Sequence, residues 1–306
     1  MTRLGLRPHR PGDGPPPGSV RVSVVVLALN EEPNIGRCLA SLTWADQVVV
    51  VDSGSADRTQ RLAREAGAEV VEQPWLGFSA QRECALRLPL IRNDWVYFVD
   101  ADEWVSPQLA SEIAVHLEDP GGTAGFSHRL RLVFMGTWIR HCGWYSGSWV
   151  VRLMDRRYAK WDGSVVGERA HVDGPVRRLR HDIVDQDRKG LAAWLHKHVR
   201  YAQLECERRG NPAGLRQRLT LLREDGSSRP KIRTVLKELV FPSVPAKPAV
   251  LFVYMYLARL GFLDGMAGLR FCFYHAWFET CVASLRSQSV QLEGRREPEA
   301  HSREGT

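Results

Sequence analysis

The chain has 306 residues, of which 44% are hydrophobic and 25% charged, a composition ordinary for a globular protein and enough for one large core with an appended piece. Its formal net charge is +7, which favours anionic partners and leaves nucleotides, phospholipid headgroups and nucleic acids open. Six cysteines, at positions 38, 84, 142, 206, 272 and 281, have no CxxC or Cys/His ligand spacing, which argues against a disulfide-stapled scaffold and a structural zinc and for a reduced, cytoplasmic protein.

Residues 1–19 carry Arg3, Arg7 and Arg10 and then a proline-rich run in place of an apolar stretch. They read as a disordered leader, not an export signal. From Val20 the text becomes Val22-Ser23-Val24-Val25-Val26-Leu27-Ala28-Leu29, a β-branched run of the kind found in strands buried on both faces. The turn Asn30 to Asn34 follows, then a helix with Ile35, Leu39 and Leu42 on one face. Gln47 to Val51 makes a second buried strand, ending in Asp52-Ser53-Gly54-Ser55, and the next helix stops at Gly67. A short strand at Glu69 to Glu72, a helix around Ala80 to Leu88 and a buried strand ending at Asp100-Ala101-Asp102-Glu103 complete the series. Strand alternating with helix predicts a doubly wound α/β fold, a mostly parallel sheet flanked by helices, with ligands beyond the carboxyl ends of its strands.

Residues 20–207 form this domain, with shorter strands and aromatic loops from Gly125 to Val184 and a helix from Gly190 to Glu207. Residues 208–230 read as a basic linker and 288–306 as a disordered tail. Between them, 231–287 is an apolar helical extension in which charges and glycines interrupt every run before the roughly 20 residues of a spanning helix. It suits a pair of interfacial helices on an anionic membrane surface; the other reading is that these helices cap the core.

Asp100 and Asp102 form a hard-oxygen pair suited to Mg²⁺ or Mn²⁺ and, through the ion, to a departing diphosphate. Asp52 can meet a base or ribose hydroxyl, or serve as a helix N-cap, a place for which Asp57 also competes. Arg152, Arg156 and Arg157 can hold a diphosphate or simply be solvated, and Trp144, Tyr145 and Trp149 can stack on a sugar or pack under the sheet. His171, His181, His196 and His198 lack zinc-ligand spacing.

Four blocks, SVVVLALNEEPNI (Ser23 to Ile35), VVVVDSGSADRT (Val48 to Thr59), FSAQRECAL (Phe78 to Leu86) and WVYFVDADE (Trp95 to Glu103), together resemble the family 2 glycosyltransferases of the GT-A fold, in particular the lipopolysaccharide-core glucosyltransferase-like branch. The resemblance implies an inverting transfer from a nucleotide-sugar, a UDP-sugar by preference, to a cell-envelope saccharide or lipid-linked acceptor. It places Ala28, Leu29, Asn30, Glu32, Asp52, Gln81, Arg82, Asp100 and Ala101 around the donor, and Asp102 with Asp100 at the divalent metal. A looser match runs through Gly167-Glu168-Arg169, where the branch commonly has His-Glu. An inverting transfer needs a carboxylate to take the acceptor proton, and Glu168 is the candidate base, its competing role being a salt bridge to Arg169 or Arg152.

These readings predict a protein at the inner face of the cell membrane, peripherally bound, with no nucleic-acid partner. Two alternatives have their own signatures. A metal-dependent nucleotidyltransferase wants a Gly-rich, basic phosphate loop after the first strand, and Ala28 to Glu32 has the wrong composition for it. A non-catalytic basic binding module for membrane or nucleic acid wants Lys/Arg interleaved with aromatics, whereas the arginines concentrate between Arg208 and Lys237.

Overall fold

The computed structural model describes residues 15–161, 170–210 and 246–301, with side chains described through 207 and 288 in the last two segments. Most of the leader, Glu168 with its neighbours Gly167 and Arg169, and the linker from 211 onward lie outside the described residues. The chain forms two compact units. One runs to Arg140 and resumes from Trp144 to Lys189; the other joins His141–Gly143 to the chain from Gly190 onward.

The first unit is built on β1 (Val20–Ala28), β2 (Ala45–Asp52), β3 (Glu69–Glu72) and β4 (Trp95–Asp100), joined by α1 (Glu32–Ala40), α2 (Thr59–Glu65) and α3 (Phe78–Leu86). Order β3-β2-β1-β4 is parallel throughout, with Val26 opposite both Val50 and Val99. The buried run of β1 explains this. Val22, Val24 and Val26 face one apolar cluster with Ile35, Leu39 and Tyr97, and Val25 faces a second with Val49, Phe98 and Met154. Each such valine contributes roughly 1.5–3 kcal/mol on leaving water, so a one-residue slip is strongly disfavoured.

Beyond β4 antiparallel strands join this parallel core, so the whole sheet is mixed. β8 (Trp149–Asp155) lies antiparallel to β4, and β6 (Gly125–Phe134) antiparallel to β8. β12 (Ile183–Asp185) runs parallel to β6 and antiparallel to the two-residue β5 (Glu103–Trp104). β7 (Thr137–Trp138) and β11 (Val176–Arg178) also pair with β6, while β9 (Ala159–Trp161) and β10 (Ala170–Val172) form a separate ribbon. Parallel neighbours need long crossovers. The last crossover helix before this region is α4 (Pro107–Glu118), whose start is set by Pro107 and by Ser106 Oγ accepting from Leu109 N at 3.2 Å.

The second unit holds α5 (Gly190–Gly210), α6 (Lys247–Val253) and α7 (Gly265–His301). α5 clusters here and not with the sheet domain, its rings meeting α7 at Trp194 with Tyr274 and His198 with Phe278. α7 continues past position 288, where composition predicts a loose tail. No single helix among the described residues is long and apolar enough to cross a membrane. Lys247–Ala258 and Gly261–Gln288 pass that test only together, bent by 75°.

The bend has a local cause. A π-helical turn at Tyr254–Ala258 leads to Leu260 with φ of 59° and a short 3-10 turn at Gly261–Asp264. A Cβ on Gly261 would sit 2.8 Å from Met255 O and 2.9 Å from Cys142 Sγ, and one on Gly268 would sit 2.1 Å from Gly261 O. Only glycine permits these approaches. Asp264 then ties the elbow to His141, accepting from its backbone N–H at 2.8 Å and lying 2.7 Å from its Nδ1.

Candidate active site

The carboxyl ends of β1, β2 and β4 converge on one edge of the sheet. Two loops there are laced together by side chains. Asn30 N donates to Ser55 Oγ at 2.8 Å and Asn30 Oδ1 accepts from Ala56 N at 2.8 Å. Glu31 N reaches Thr59 Oγ1, and Glu32 N reaches Asp57 Oδ2 at 3.1 Å. Asn30 has φ of 53°, a left-handed conformation that asparagine tolerates better than most residues. Leu29 and Asn30 are thereby exposed at the edge, while Ala28 and Ala101 are buried beneath it and offer only backbone.

Asp52 faces inward. It is fully buried. Its Oδ1 accepts from Gly54 N, Ser55 N and Gln60 Nε2 at 2.8–3.0 Å, and its Oδ2 from Ser55 Oγ at 2.5 Å. A carboxylate so satisfied shapes the turn, and the residues it orients are the ones a ligand would meet. Just before α2, whose N-cap position is Arg58, Asp57 accepts from Thr59 N at 2.9 Å.

Gln81 is likewise buried. Its amide spans Ser53 Oγ at 3.2 Å, Gln73 O at 3.3 Å and Leu76 N at 3.2 Å, so it braces the chain ahead of α3. Glu32 pairs with the exposed Arg58.

Asp100 lies in an arginine clamp. Arg82 Nη2 donates to Oδ1 at 2.7 Å from α3, and Arg152 Nη2 to Oδ2 at 2.8 Å from β8. Arg82 is 4% exposed and packs its guanidinium over Trp161 and Phe98. Burial alone would raise the Asp100 carboxyl, but Arg152 and Arg82 outweigh it and hold the group well below the ordinary carboxylate range. Arg82 therefore meets Asp100 where contact with the donor was expected, and Arg152 supplies the second jaw.

Behind the clamp, Glu103 is buried and accepts the Asp100 N–H at 2.8 Å. Burial, reinforced by the charges of Asp100 and Asp102, pushes its carboxyl up to about 8 against partial relief from Arg152. Burial and the Asp102 charge also raise Glu31, with Asn34 and Lys189 pulling it back.

A segment remote in sequence closes the edge. β12 pairs with β5, so Gln186 N donates to Asp102 O at 3.0 Å and Arg37 grips Gln186 through both its side chain and its carbonyl. Lys189 Nζ donates to Glu31 Oε1 at 2.6 Å, and Asn34 bridges Glu31 and Asp187. Sequence reasoning missed Glu103 as a buried acid and Lys189 as a cation at this edge. Glu103 had a signal in the third carboxylate of its run, whereas Lys189 lies 158 positions from its partner and had none.

The donor set tests where a divalent ion would fit. Both oxygens of Asp100 already receive guanidinium N–H groups, so an ion at Asp100 would share them with Arg82 and Arg152. Asp102 is half-buried and adds negative charge to Glu31 and Glu103, an excess that a cation relieves. Among the described residues no three His, Cys, Asp or Glu side chains form a metal cluster. An ion at Asp102 would complete its shell with ligand and water oxygens, as Mg²⁺ commonly does.

Comparisons with known proteins fall on the same stretch of chain. Residues 23–141 match the family described as glycosyl transferase family 2, and that part of the chain is a domain of this family. An uncharacterized glycosyltransferase of Rickettsia bellii is 34% identical over 116 residues, 38% of this chain and 39% of that protein. The lipopolysaccharide core biosynthesis glycosyltransferase LpsC of Rhizobium meliloti is 36% identical over 93 residues, 29% of this chain and 34% of its own length. The chain thus spans about two fifths or less of the length of these relatives. Crystal structures of glucosyl-3-phosphoglycerate synthase from Mycobacterium tuberculosis, one with Mn²⁺ and UDP-glucose, align at 28% identity over 37% of this chain and 44% of theirs, with a TM-score of 0.32.

Proposed function

We propose that the protein is an inverting glycosyltransferase that takes a sugar from a nucleotide-sugar, by preference a UDP-sugar, to a cell-envelope saccharide or lipid-linked acceptor. The observation that carries this reading is Asp102 beside the clamped Asp100, at a strand end within the segment matched by the family. The kinship with LpsC supports an envelope acceptor.

In this reading the nucleotide lies along the edge made by Leu29, Asn30, Gly54 and Ser55. The acceptor hydroxyl attacks the anomeric carbon as the bond to the diphosphate breaks, and the nucleoside diphosphate leaves with the electron pair. Asp102 would hold a divalent cation, which would supply Lewis-acid neutralisation of that leaving group. Asp100, fixed as a carboxylate by Arg82 and Arg152, orients the donor through its neighbours, and Lys189 adds positive charge near the departing diphosphate. The acceptor proton goes to a carboxylate base, for which Glu168 is the candidate.

We also read the second unit as a membrane-surface anchor at the cytoplasmic face. Support comes from the elbow, which exposes Val253, Leu257, Leu263 and Met266 to 52%, 56%, 56% and 61%, more apolar surface than a solvated hairpin ordinarily shows.

A panel of nucleotide-sugars incubated with the purified chain and Mn²⁺ tests the transferase reading. One donor is expected to be hydrolysed or transferred, with Asp102→Asn abolishing Mn²⁺-dependent UDP binding at unchanged melting temperature. Full turnover in the presence of EDTA, or by the Asn variant, would defeat the assignment of Asp102.

A further inference from the structure

The half of the sheet beyond β8 carries an ordered stack of cations and rings that the donor edge does not use. Arg129 on β6 stands opposite Trp149 on β8. Its guanidinium carbon lies 4.4 Å from the Tyr145 ring centre and 5.1 Å from that of Trp149. Arg178 of β11 covers Trp149 at 4.7 Å, and Arg131, two residues along the same face from Arg129, covers Trp138 at 4.5 Å. Guanidinium groups thus lie against the rings of both Trp149 and Tyr145.

Among the described residues, the carboxylate paired with this face is Asp182. Asp182, 5% exposed, lies 3.5 Å from Arg129 and 3.4 Å from Arg131 and accepts from Tyr145 Oη at 2.7 Å. Arg178 is exposed, and the side chains of Arg129 and Arg131 are 31% and 42% exposed. Three guanidinium groups against one carboxylate leave the face two charges positive. Stacking on an aromatic ring fixes the guanidinium plane and turns its N–H edge outward, the geometry that binds phosphate bidentately.

Trp149 and Arg152 share β8 three residues apart, which sets this face about 10 Å from the Asp100 clamp. We infer that the Arg129–Trp149–Arg178 stack binds a phosphate group carried by the acceptor, one sugar unit or so from the hydroxyl that is glycosylated. The inference rests on the glycosyltransferase reading for the word acceptor, while the phosphate site stands on the stack alone. Phosphate on a saccharide and phosphate in a lipid headgroup offer the same chemistry.

Calorimetric titration of the full chain with inorganic phosphate and with glucose 6-phosphate, at low salt, tests the site in wild type, Arg178→Gln and Arg129→Gln/Arg178→Gln. Arg178→Gln keeps both Asp182 ion pairs and guards against a folding artefact. Affinity for inorganic phosphate is expected to fall about tenfold or more in the double variant, and by less in the single one, as charge-assisted hydrogen bonds are lost; Mn²⁺-dependent UDP binding is expected to stay unchanged. Tighter binding of glucose 6-phosphate than of inorganic phosphate supports a saccharide phosphate. A parallel loss of flotation with phosphatidylglycerol vesicles supports a headgroup. No phosphate binding by wild type, or equal binding by all three proteins, overturns the inference. Phosphate binding that follows the stack in a chain that binds no nucleotide supports the site and sinks the transferase reading separately.

Discussion

The edge of the sheet and the elbow of the second unit break the usual partition of residues in opposite directions. At the edge, charge goes inside: Arg82, Arg152 and Glu103 are buried around Asp100. At the elbow, apolar side chains go outside: Leu257, Leu263 and Met266 are more than half exposed. Burying charge is tolerated only where partners compensate it, and exposing apolar surface only where something else is to cover it. At the edge the compensation is internal, Arg82 and Arg152 both holding Asp100, and under the proposed function the elbow is the part left for another surface to cover.

The comparison is sharpest at Asp102. Asp102→Ala should lower donor turnover roughly 10³-fold, about 4 kcal/mol of transition-state stabilisation, with the unfolding midpoint in urea unchanged. A comparable loss of stability would make Asp102 a structural carboxylate and end the contrast. Arg82→Ala should instead destabilise the first unit by about 2–3 kcal/mol, because Asp100 keeps one jaw of its clamp and the space between Phe98 and Trp161 empties. Arg82→Lys should restore little of this, since an ammonium cannot repeat the planar packing.

The elbow breaks by steric means. Gly268→Ala drives a Cβ against Gly261 O and should cost about 1–3 kcal/mol, read as a lower melting temperature with UDP affinity intact. Leu257→Glu with Leu263→Glu should leave folding untouched and abolish flotation with anionic vesicles. Unchanged flotation in that variant would remove the lipid half of the comparison.

A further test is a pH signature of the buried acid. The Glu103 carboxyl moves from an ordinary 4.5 in the unfolded chain to about 8 in the fold. Between those values the unfolded chain ionises while the fold keeps its proton, so stability falls as pH rises across the window and levels above it. Asp100, held low, acts in the opposite sense and weakens the fold only as pH drops below the ordinary carboxylate range. Glu103→Gln should flatten the decline between about 4.5 and 8 and leave the acid side unchanged in pH-dependent urea melts.

What the sequence determined alone was everything set by short-range pattern. The β-branched run from Val20, the helix face of Ile35 and Leu39, and the glycine after Ala66 suffice for four parallel strands and three helices, because hydrophobic period and turn chemistry act within a few residues. The strand-end carboxylates were legible for the same reason. Only the tertiary structure decided which of them is buried and which stays open. Asp52 and Gln81 turned inward, Asp100 was taken by arginines 18 and 52 positions away, and Lys189 arrived at Glu31 from beyond β12. The bent elbow too depends on Gly261 meeting Cys142. Such pairings are made by the closing of the sheet and the packing of helices, and electrostatic partnership across that distance leaves no local trace for a pattern to reveal.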